Sequence, residues 1–121
     1  IFLSEIFVYE IDGEIVALYV LQLLDSDAAE IKNIAVRPEL QRQGIGRFLL
    51  RDAANRAKLG GLRSIVIGTG DASTEQLKLY EREGFEAFAL KRDFFLINYP
   101  APIYENGVQL RHMIMLRRSL Y

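Results

Sequence analysis

The segment VRPELQRQGIGR (residues 36–47) joins two runs with different apolar periodicity. The preceding run, residues 30–36, is rich in β-branched residues and is typical of a strand, which Pro38 ends. From Ile45 onward apolar residues recur at helical spacing, and the pair Gly60-Gly61 terminates the run. The segment is therefore predicted to be the turn by which a strand enters an amphipathic helix of about four turns.

Two glycines and two arginines give this turn properties of an anion site. The first amides of a helix lack intrahelical partners and carry the positive end of its dipole. Gly44 and Gly46 would let a ligand reach the backbone without meeting a Cβ atom, and Arg42 and Arg47 add positive charge. These features favour a bound phosphate or pyrophosphate. The alternative is a tight turn that simply needs glycine, and the two glycines alone do not separate the interpretations.

The rest of the chain gives further strand and helix signals. Asp12-Gly13 links apolar runs at residues 6–11 and 14–24 and predicts a hairpin. The other predicted elements are a strand at 64–67, a loop at 68–71, a helix at 73–83, strands near 85–92 and 108–117, and a loop at 94–107. The long helix must connect two parallel strands, whereas the hairpin and late strands add antiparallel neighbours. The predicted class is α+β, with a mixed, mostly antiparallel twisted sheet and helices on its faces.

Length and composition limit the classes of function. With 121 residues, 50% of them hydrophobic, the chain is predicted to form a single domain. Its formal net charge of -1 gives no general attraction to nucleic acid or to an anionic membrane, and neither partner is expected. Without cysteine and with a single histidine, no metal site or thiol nucleophile is expected.

The chain shows no apolar run long enough to span a bilayer, the longest being residues 15–21, and no export signal. A cytoplasmic location is therefore expected. The first residue is Ile rather than Met, so the natural chain is expected to begin upstream. If the chain exists without such an upstream segment, the strand at residues 6–11 would be an exposed edge, which a second copy could cover to form a homodimer.

Two motifs, taken with their order, resemble one protein family. The run Ile34-Ala35-Val36-Arg37-Pro38-Glu39, followed by Gln41-x-x-Gly44-x-Gly46, resembles motif A of the GNAT superfamily of acetyl-CoA-dependent N-acetyltransferases. The run Leu79-Tyr80-Glu81-Arg82-Glu83-Gly84-Phe85 resembles motif B, and one helix and one strand separate the motifs. The resemblance covers roughly residues 6–117. The strand and two helices that normally precede the hairpin are missing, and a family position often occupied by Asn is Ser73.

This resemblance implies acetyl-CoA as co-substrate. Its pyrophosphate would bind the amides of the glycine turn, and its pantetheine arm would bond to the first strand of a central parallel pair that splays apart. Carried over by position, the cofactor-binding residues are Ile34, Ala35, Val36, Arg42, Gln43, Gly44, Ile45, Gly46, Arg47 and Ser73. For Ser73 the alternative is a helix N-cap, with Gln76 completing a capping box.

The resemblance also implies two catalytic residues. Tyr80 matches the family tyrosine that protonates the departing CoA sulfur; the alternative is a core aromatic residue. Glu30 lies where some members place a glutamate that takes the proton of the amine; the alternative is a strand-end carboxylate paired with Lys32 or an arginine. A backbone amide on the strand that ends at Val36 would stabilise the oxyanion.

The predicted activity is direct transfer of an acetyl group, in a ternary complex, to a primary amine of a small molecule or peptide. The alternative is a non-catalytic acyl-CoA-binding sensor of the same fold, because the helices that commonly wall the acceptor pocket are missing. Aromatic residues of the loop at 94–107, together with Asp93 or Glu105, are candidates to receive a cationic amine. The alternative is that Phe94, Phe95 and Tyr99 shield the edge of the sheet.

Overall fold

The computed structural model describes residues 3–121. Its elements are β1 (Ser4–Ile11), β2 (Glu14–Leu23), β3 (Ala28–Val36), α1 (Ile45–Leu59), β4 (Ser64–Gly70), α2 (Thr74–Arg82), β5 (Glu86–Lys91), α3 (Phe94–Asn98), β6 (Tyr104–Glu105), β7 (Val108–Gln109) and β8 (Met113–Ser119). The strands hydrogen-bond in the order β1-β2-β3-β4-β8-β5, and β6 pairs with β7. The sheet is mixed and mostly antiparallel with a parallel pair, which confirms the predicted fold class.

The chain divides into two compact units. The first contains residues up to 66 together with 119–121, and the second contains residues 67–118. In the first unit β1 and β2 form the predicted antiparallel hairpin around Asp12-Gly13. The helix α1 also forms as predicted: its buried residues are Ile45, Leu49, Leu50, Ala53, Ala54 and Ala57. Within residues 3–121 no helix is both long and apolar enough to cross a membrane.

A polar network inside the first unit ties α1 to β2. The Tyr19 side chain is 1% exposed, and its hydroxyl donates a hydrogen bond of 2.6 Å to Asp52 Oδ2. Arg56, one helical turn after Asp52, donates to the same oxygen at 2.9 Å. Its guanidinium lies 4.1 Å from the centroid of the Phe7 ring, which stacks on Tyr19. Burial, followed by the hydrogen bond to Asp52, raises the pKa of Tyr19 above its usual range.

The strand β3 carries one irregularity on the edge that pairs with β2. Val20 lies opposite Asn33 and Leu21 lies opposite Ile31, so Lys32 is an extra residue without a partner on β2. Such a bulge increases local twist and re-aims side chains. It separates the buried start of β3, which holds Glu30, from the Ile34–Val36 end that leads into the glycine turn.

In the second unit the predicted loop at residues 68–71 is wrong, because β4 continues to Gly70. The two glycines of this stretch serve close packing and do not form a turn. A Cβ atom on Gly68 would lie 2.7 Å from the sulfur of Met113, and one on Gly70 would lie 2.7 Å from a methyl group of Leu110. Side chains from later in the chain therefore use the space that the glycines leave.

The C-terminal half of the second unit is more regular than predicted. The expected loop at residues 94–107 contains α3 and the strand β6, and the expected strand at residues 108–117 is divided into β7 and β8. Asn106 and Gly107 connect β6 to β7 with φ angles of 52° and 76°. An Asn-Gly pair is a strong hairpin signal, since both turn positions need positive φ.

The network of Tyr19 gives a prediction about stability. Replacing Tyr19→Phe should lower the free energy of unfolding by about 1–2 kcal/mol, because Asp52 loses a buried hydroxyl donor while Arg56 remains. Urea denaturation measures the change. The control is Tyr121→Phe, since Tyr121 is 75% exposed. Equal stability of the two variants would contradict the role assigned to the buried hydroxyl.

Candidate functional site

The turn between β3 and α1 is held in shape by its own side chains and backbone. Pro38–Leu40 forms a short 3-10 turn, after which Gln41 donates from its side-chain amide to the Val36 carbonyl at 3.0 Å. Gly44 then adopts φ 90° and ψ 0°, a left-handed conformation that glycine adopts without a steric penalty. Its carbonyl oxygen accepts the first hydrogen bond of α1, from the amide of Phe48.

The amides that follow Gly44 open the first turn of a 15-residue helix. No side chain caps this end, so the amides of residues 45–47 are left without intrahelical partners. The first turn holds no acidic residue, and both Arg42 and Arg47 are exposed beside it. The turn therefore presents backbone donors, a positive dipole end and arginine charge at one place, which suits a phosphate group.

The predicted cofactor strand and the predicted base both lie on β3. Opposite Ile34, Ala35 and Val36, the strand β2 contributes Tyr19, Leu18 and Ala17. Glu30 is 8% exposed and lies before the bulge. Its Oε1 atom is 3.8 Å from Nζ of Lys32, so the ion pair that the sequence offered as an alternative role is present.

Tyr80 lies on α2 in the second unit and is 5% exposed. Its ring contacts Phe85 at a centroid distance of 6.2 Å, as expected for an aromatic residue that is part of the core. Burial raises the pKa of Tyr80 to about 12, and the negative charge of Glu105 contributes to the shift. A tyrosine in this environment stays protonated at neutral pH and has a proton to give.

The predicted capping box at Ser73 is wrong in its side-chain contacts. Ser73 precedes α2, and its carbonyl accepts the amide of Leu77, but its hydroxyl makes no cap hydrogen bond. The hydroxyl instead donates to Oε2 of Glu105 on β6. Ser73 is 4% exposed, so this hydrogen bond is shielded from water. A charged carboxylate is a strong acceptor for the single hydroxyl proton, while no backbone amide at the start of α2 donates to the serine oxygen.

The acceptor candidates of the second unit do not form one cluster in their recorded contacts. Phe94, Phe95 and Tyr99 pack on one another, with the Phe95 and Tyr99 rings stacked at 5.7 Å. The backbone amide of Asp93 donates to Nδ1 of His112 at 2.9 Å, and its carboxylate lies 3.7 Å from the same nitrogen. The structure links Glu105 instead with Ser73 by a hydrogen bond, a contact between residues far apart in sequence, and the charge of Glu105 acts on Tyr80 of the following helix.

The structure thus assembles two groups of predicted site residues, one in each unit. In the first unit β3, its bulge and the glycine turn follow one another along the chain. In the second unit Ser73 lies at the start of the helix that carries Tyr80, and its hydroxyl donates to Glu105. Local sequence motifs predicted the first group. For Glu105 the local signal is the Asn106-Gly107 pair that follows it, which is typical of a hairpin turn.

Comparison with known proteins identifies the family. Residues 3–87 match the model of the acetyltransferase (GNAT) domain. The uncharacterized N-acetyltransferase YvbK of Bacillus subtilis is 45% identical over 107 residues, which are 88% of this chain and 69% of that protein. The [ribosomal protein bS18]-alanine N-acetyltransferase of Escherichia coli is 30% identical over 69% of this chain and 56% of its own length.

A solved structure with high similarity is a GNAT family acetyltransferase from Elizabethkingia anophelis with acetyl-CoA bound. It superposes with a TM-score of 0.94 at 43% identity, covering 97% of this chain and 76% of the other. The two motifs, the strand order and these similarities agree. The chain belongs to the GNAT family of N-acetyltransferases, whose co-substrate is acetyl-CoA.

Proposed function

We propose that this protein transfers the acetyl group of acetyl-CoA to a primary amine of a small molecule or peptide, directly within a ternary complex. The observation that carries the proposal is the left-handed Gly44, which leaves the first amides of α1 open toward an anion. The crystallised relative with acetyl-CoA bound supports the choice of co-substrate. The bS18-alanine relative supports an amine of a peptide as one acceptor class.

The proposed cofactor contacts follow the order of the chain. The amides of Arg42, Gln43, Gly44, Ile45, Gly46 and Arg47 bind the pyrophosphate, with the arginine side chains adding charge. The pantetheine amides bond to the backbone of Ile34–Val36, where the parallel strands splay to admit it. Ser73 contributes only as an acceptor, since its hydroxyl proton is donated to Glu105.

The proposed chemistry needs three proton transfers. An ammonium has no lone pair, so the acceptor first loses one proton, and Glu30 takes it directly or through water. The amine nitrogen then bonds to the thioester carbonyl carbon and becomes positively charged, the carbon–sulfur bond breaks, and Tyr80 gives its proton to the thiolate. The nitrogen finally loses its second proton, which restores the Tyr80 hydroxyl and leaves a neutral amide. Tyr80 is protonated at neutral pH, as a proton donor must be, and its raised pKa extends that state to higher pH. The absence of cysteine from the chain agrees with direct transfer rather than a thiol-bound acetyl intermediate.

The second candidate function is an acyl-CoA sensor that binds the cofactor without turnover. The matched part of the chain spans 69% of the Bacillus subtilis relative and 56% of the Escherichia coli relative. Release of free CoA thiol with panels of polyamines, aminoglycosides and peptides separates the two functions. A cytoplasmic location, a single acetyltransferase domain and a homodimer through β1 stay predictions.

Cofactor binding tests the glycine turn. Gly44→Glu should reduce the affinity for CoA at least about a hundredfold, because a side chain and a negative charge enter the phosphate site. Gly61→Glu is the matched control, since Gly61 has a similar φ of 82° at the opposite end of α1. Calorimetric titration with CoA measures both. Equal loss in the two variants would attribute the effect to backbone strain and remove support for the site.

Turnover tests Tyr80. Tyr80→Phe should lower kcat about a hundredfold while the Kd for acetyl-CoA changes little, because only the leaving-group proton is lost. In the wild-type protein the raised pKa of Tyr80 should keep kcat from falling up to about pH 10, where an ordinary tyrosine is already half ionised. Thiol release across pH measures both. A kcat unchanged by Tyr80→Phe would overturn the assignment.

The proton acceptor is tested at Glu30. Glu30→Gln should lower kcat/KM for the amine several-fold at neutral pH, and the deficit should shrink as rising pH supplies amine that is already deprotonated. Glu10→Gln on the exposed part of β1 is the control. A deficit independent of pH would assign Glu30 to the ion pair with Lys32 alone.

A further inference from the structure

The Glu105 carboxylate is half-buried without a cationic partner. Its recorded hydrogen bond comes from the neutral hydroxyl of Ser73. Among residues 3–121, no lysine, arginine or histidine forms an ion pair with it. A carboxylate has room for about four hydrogen bonds, so most of its acceptor capacity is unused. The free lone pairs of such a carboxylate can accept charge-assisted hydrogen bonds from a cationic ligand.

The position of Glu105 is held by rigid local structure. It lies on β6 opposite Val108, beside the tight Asn106-Gly107 turn. The base of this hairpin is closed by a hydrogen bond of 2.8 Å from the Leu110 amide to the Ile103 carbonyl. The hydrogen bond from the Ser73 hydroxyl holds the carboxylate end of the Glu105 side chain at the start of α2. The charge is therefore fixed in place and does not belong to a mobile surface side chain.

The same carboxylate acts on Tyr80. Its hydrogen bond to Ser73 places it at the start of α2, the helix that carries Tyr80, and its negative charge contributes to the raised pKa of Tyr80. Tyr80 is the proposed proton donor to sulfur, so Glu105 lies beside a reacting group of the proposed reaction. An attacking nitrogen also has to come close to this sulfur, since both bond to one carbonyl carbon in the tetrahedral intermediate.

Asp93, the other acidic candidate, is in a different situation. Its side chain is 50% exposed, and its carboxylate and backbone both face Nδ1 of His112. Nζ of Lys91 lies 5.8 Å from the centroid of the neighbouring Phe94 ring. This ring therefore already has a cation of the protein itself over one face, where an acceptor amine would otherwise bind. Of the two carboxylates, only Glu105 combines partial burial, a fixed position and a missing countercharge.

We propose that Glu105 binds the ammonium group of the acceptor beside Tyr80. The inference rests on the proposed function and narrows its acceptor class to alkyl amines that are cationic at neutral pH, as distinct from weakly basic aromatic amines. The bound ammonium loses one proton before attack, and Glu105 holds the remaining N–H groups by hydrogen bonds during the transfer. The other bond changes are those of the proposed reaction.

The experiment compares Glu105→Gln with wild-type protein at saturating acetyl-CoA. Gln is isosteric, so the variant should raise KM for an alkyl amine at least about tenfold while KM for acetyl-CoA stays within about twofold. KM for an aromatic amine should not change, because that acceptor carries no charge. The control is Glu81→Gln, an exposed position on α2 with the same change of charge.

Two further outcomes separate failure of this inference from failure of the proposed function. An active Glu105→Gln variant with unchanged KM for the alkyl amine, even if its Tm falls, assigns Glu105 a structural role and overturns the ammonium site alone. Absence of CoA release from wild-type protein with every amine contradicts the transferase. In that case calorimetry measures the Kd of the alkyl amine for CoA-loaded wild-type protein and for the Glu105→Gln variant. Equal Kd values would overturn the inference that Glu105 binds the ammonium group.

Discussion

The constraint on which the rest of the structure depends is the change of backbone direction at Gly44. A strand that leads into a helix must change direction in the connecting turn, and here Arg42 and Gly44 take positive φ angles of 63° and 90°. The first amides of a helix have no partner within it, and a glycine at the N-cap offers no side chain to cap them. The geometry that makes the turn possible is the same geometry that prepares an anion site.

That arrangement is only useful if α1 is held in place. Six apolar residues along one side of the helix are buried, and this burial is the main source of its docking energy. The hydrogen bond from Tyr19 to Asp52 adds a specific contact between β2 and α1, away from the glycine turn, and Arg56 of the same helix donates to the same oxygen. Apolar burial is non-directional, whereas a shared carboxylate oxygen fixes the rotation of the helix about its axis. The first unit thereby holds the turn in one orientation.

In the second unit the charge of a half-buried carboxylate acts on a buried hydroxyl. Burial alone makes ionisation of Tyr80 costly, and the charge of Glu105 makes it costlier still. Ser73 donates the proton of its hydroxyl to that carboxylate, and its oxygen accepts no cap hydrogen bond from the first amides of α2. A residue that a sequence motif marks for one contact can thus be used for another, because hydrogen-bond partners are chosen by three-dimensional proximity.

The sequence by itself determined the elements whose signals are local. The Asp12-Gly13 hairpin, the amphipathic α1 and the glycine turn each follow from residues adjacent along the chain. The sequence did not predict that β4 extends through Gly68 and Gly70. These glycines leave room for the side chains of Met113 and Leu110, which are far away in sequence. The link between Ser73 and Glu105 likewise joins positions 32 residues apart. Only the tertiary structure decided these contacts, since periodicity and turn residues depend on neighbours along the chain. They carry no information on which distant side chains will pack together or form a hydrogen bond.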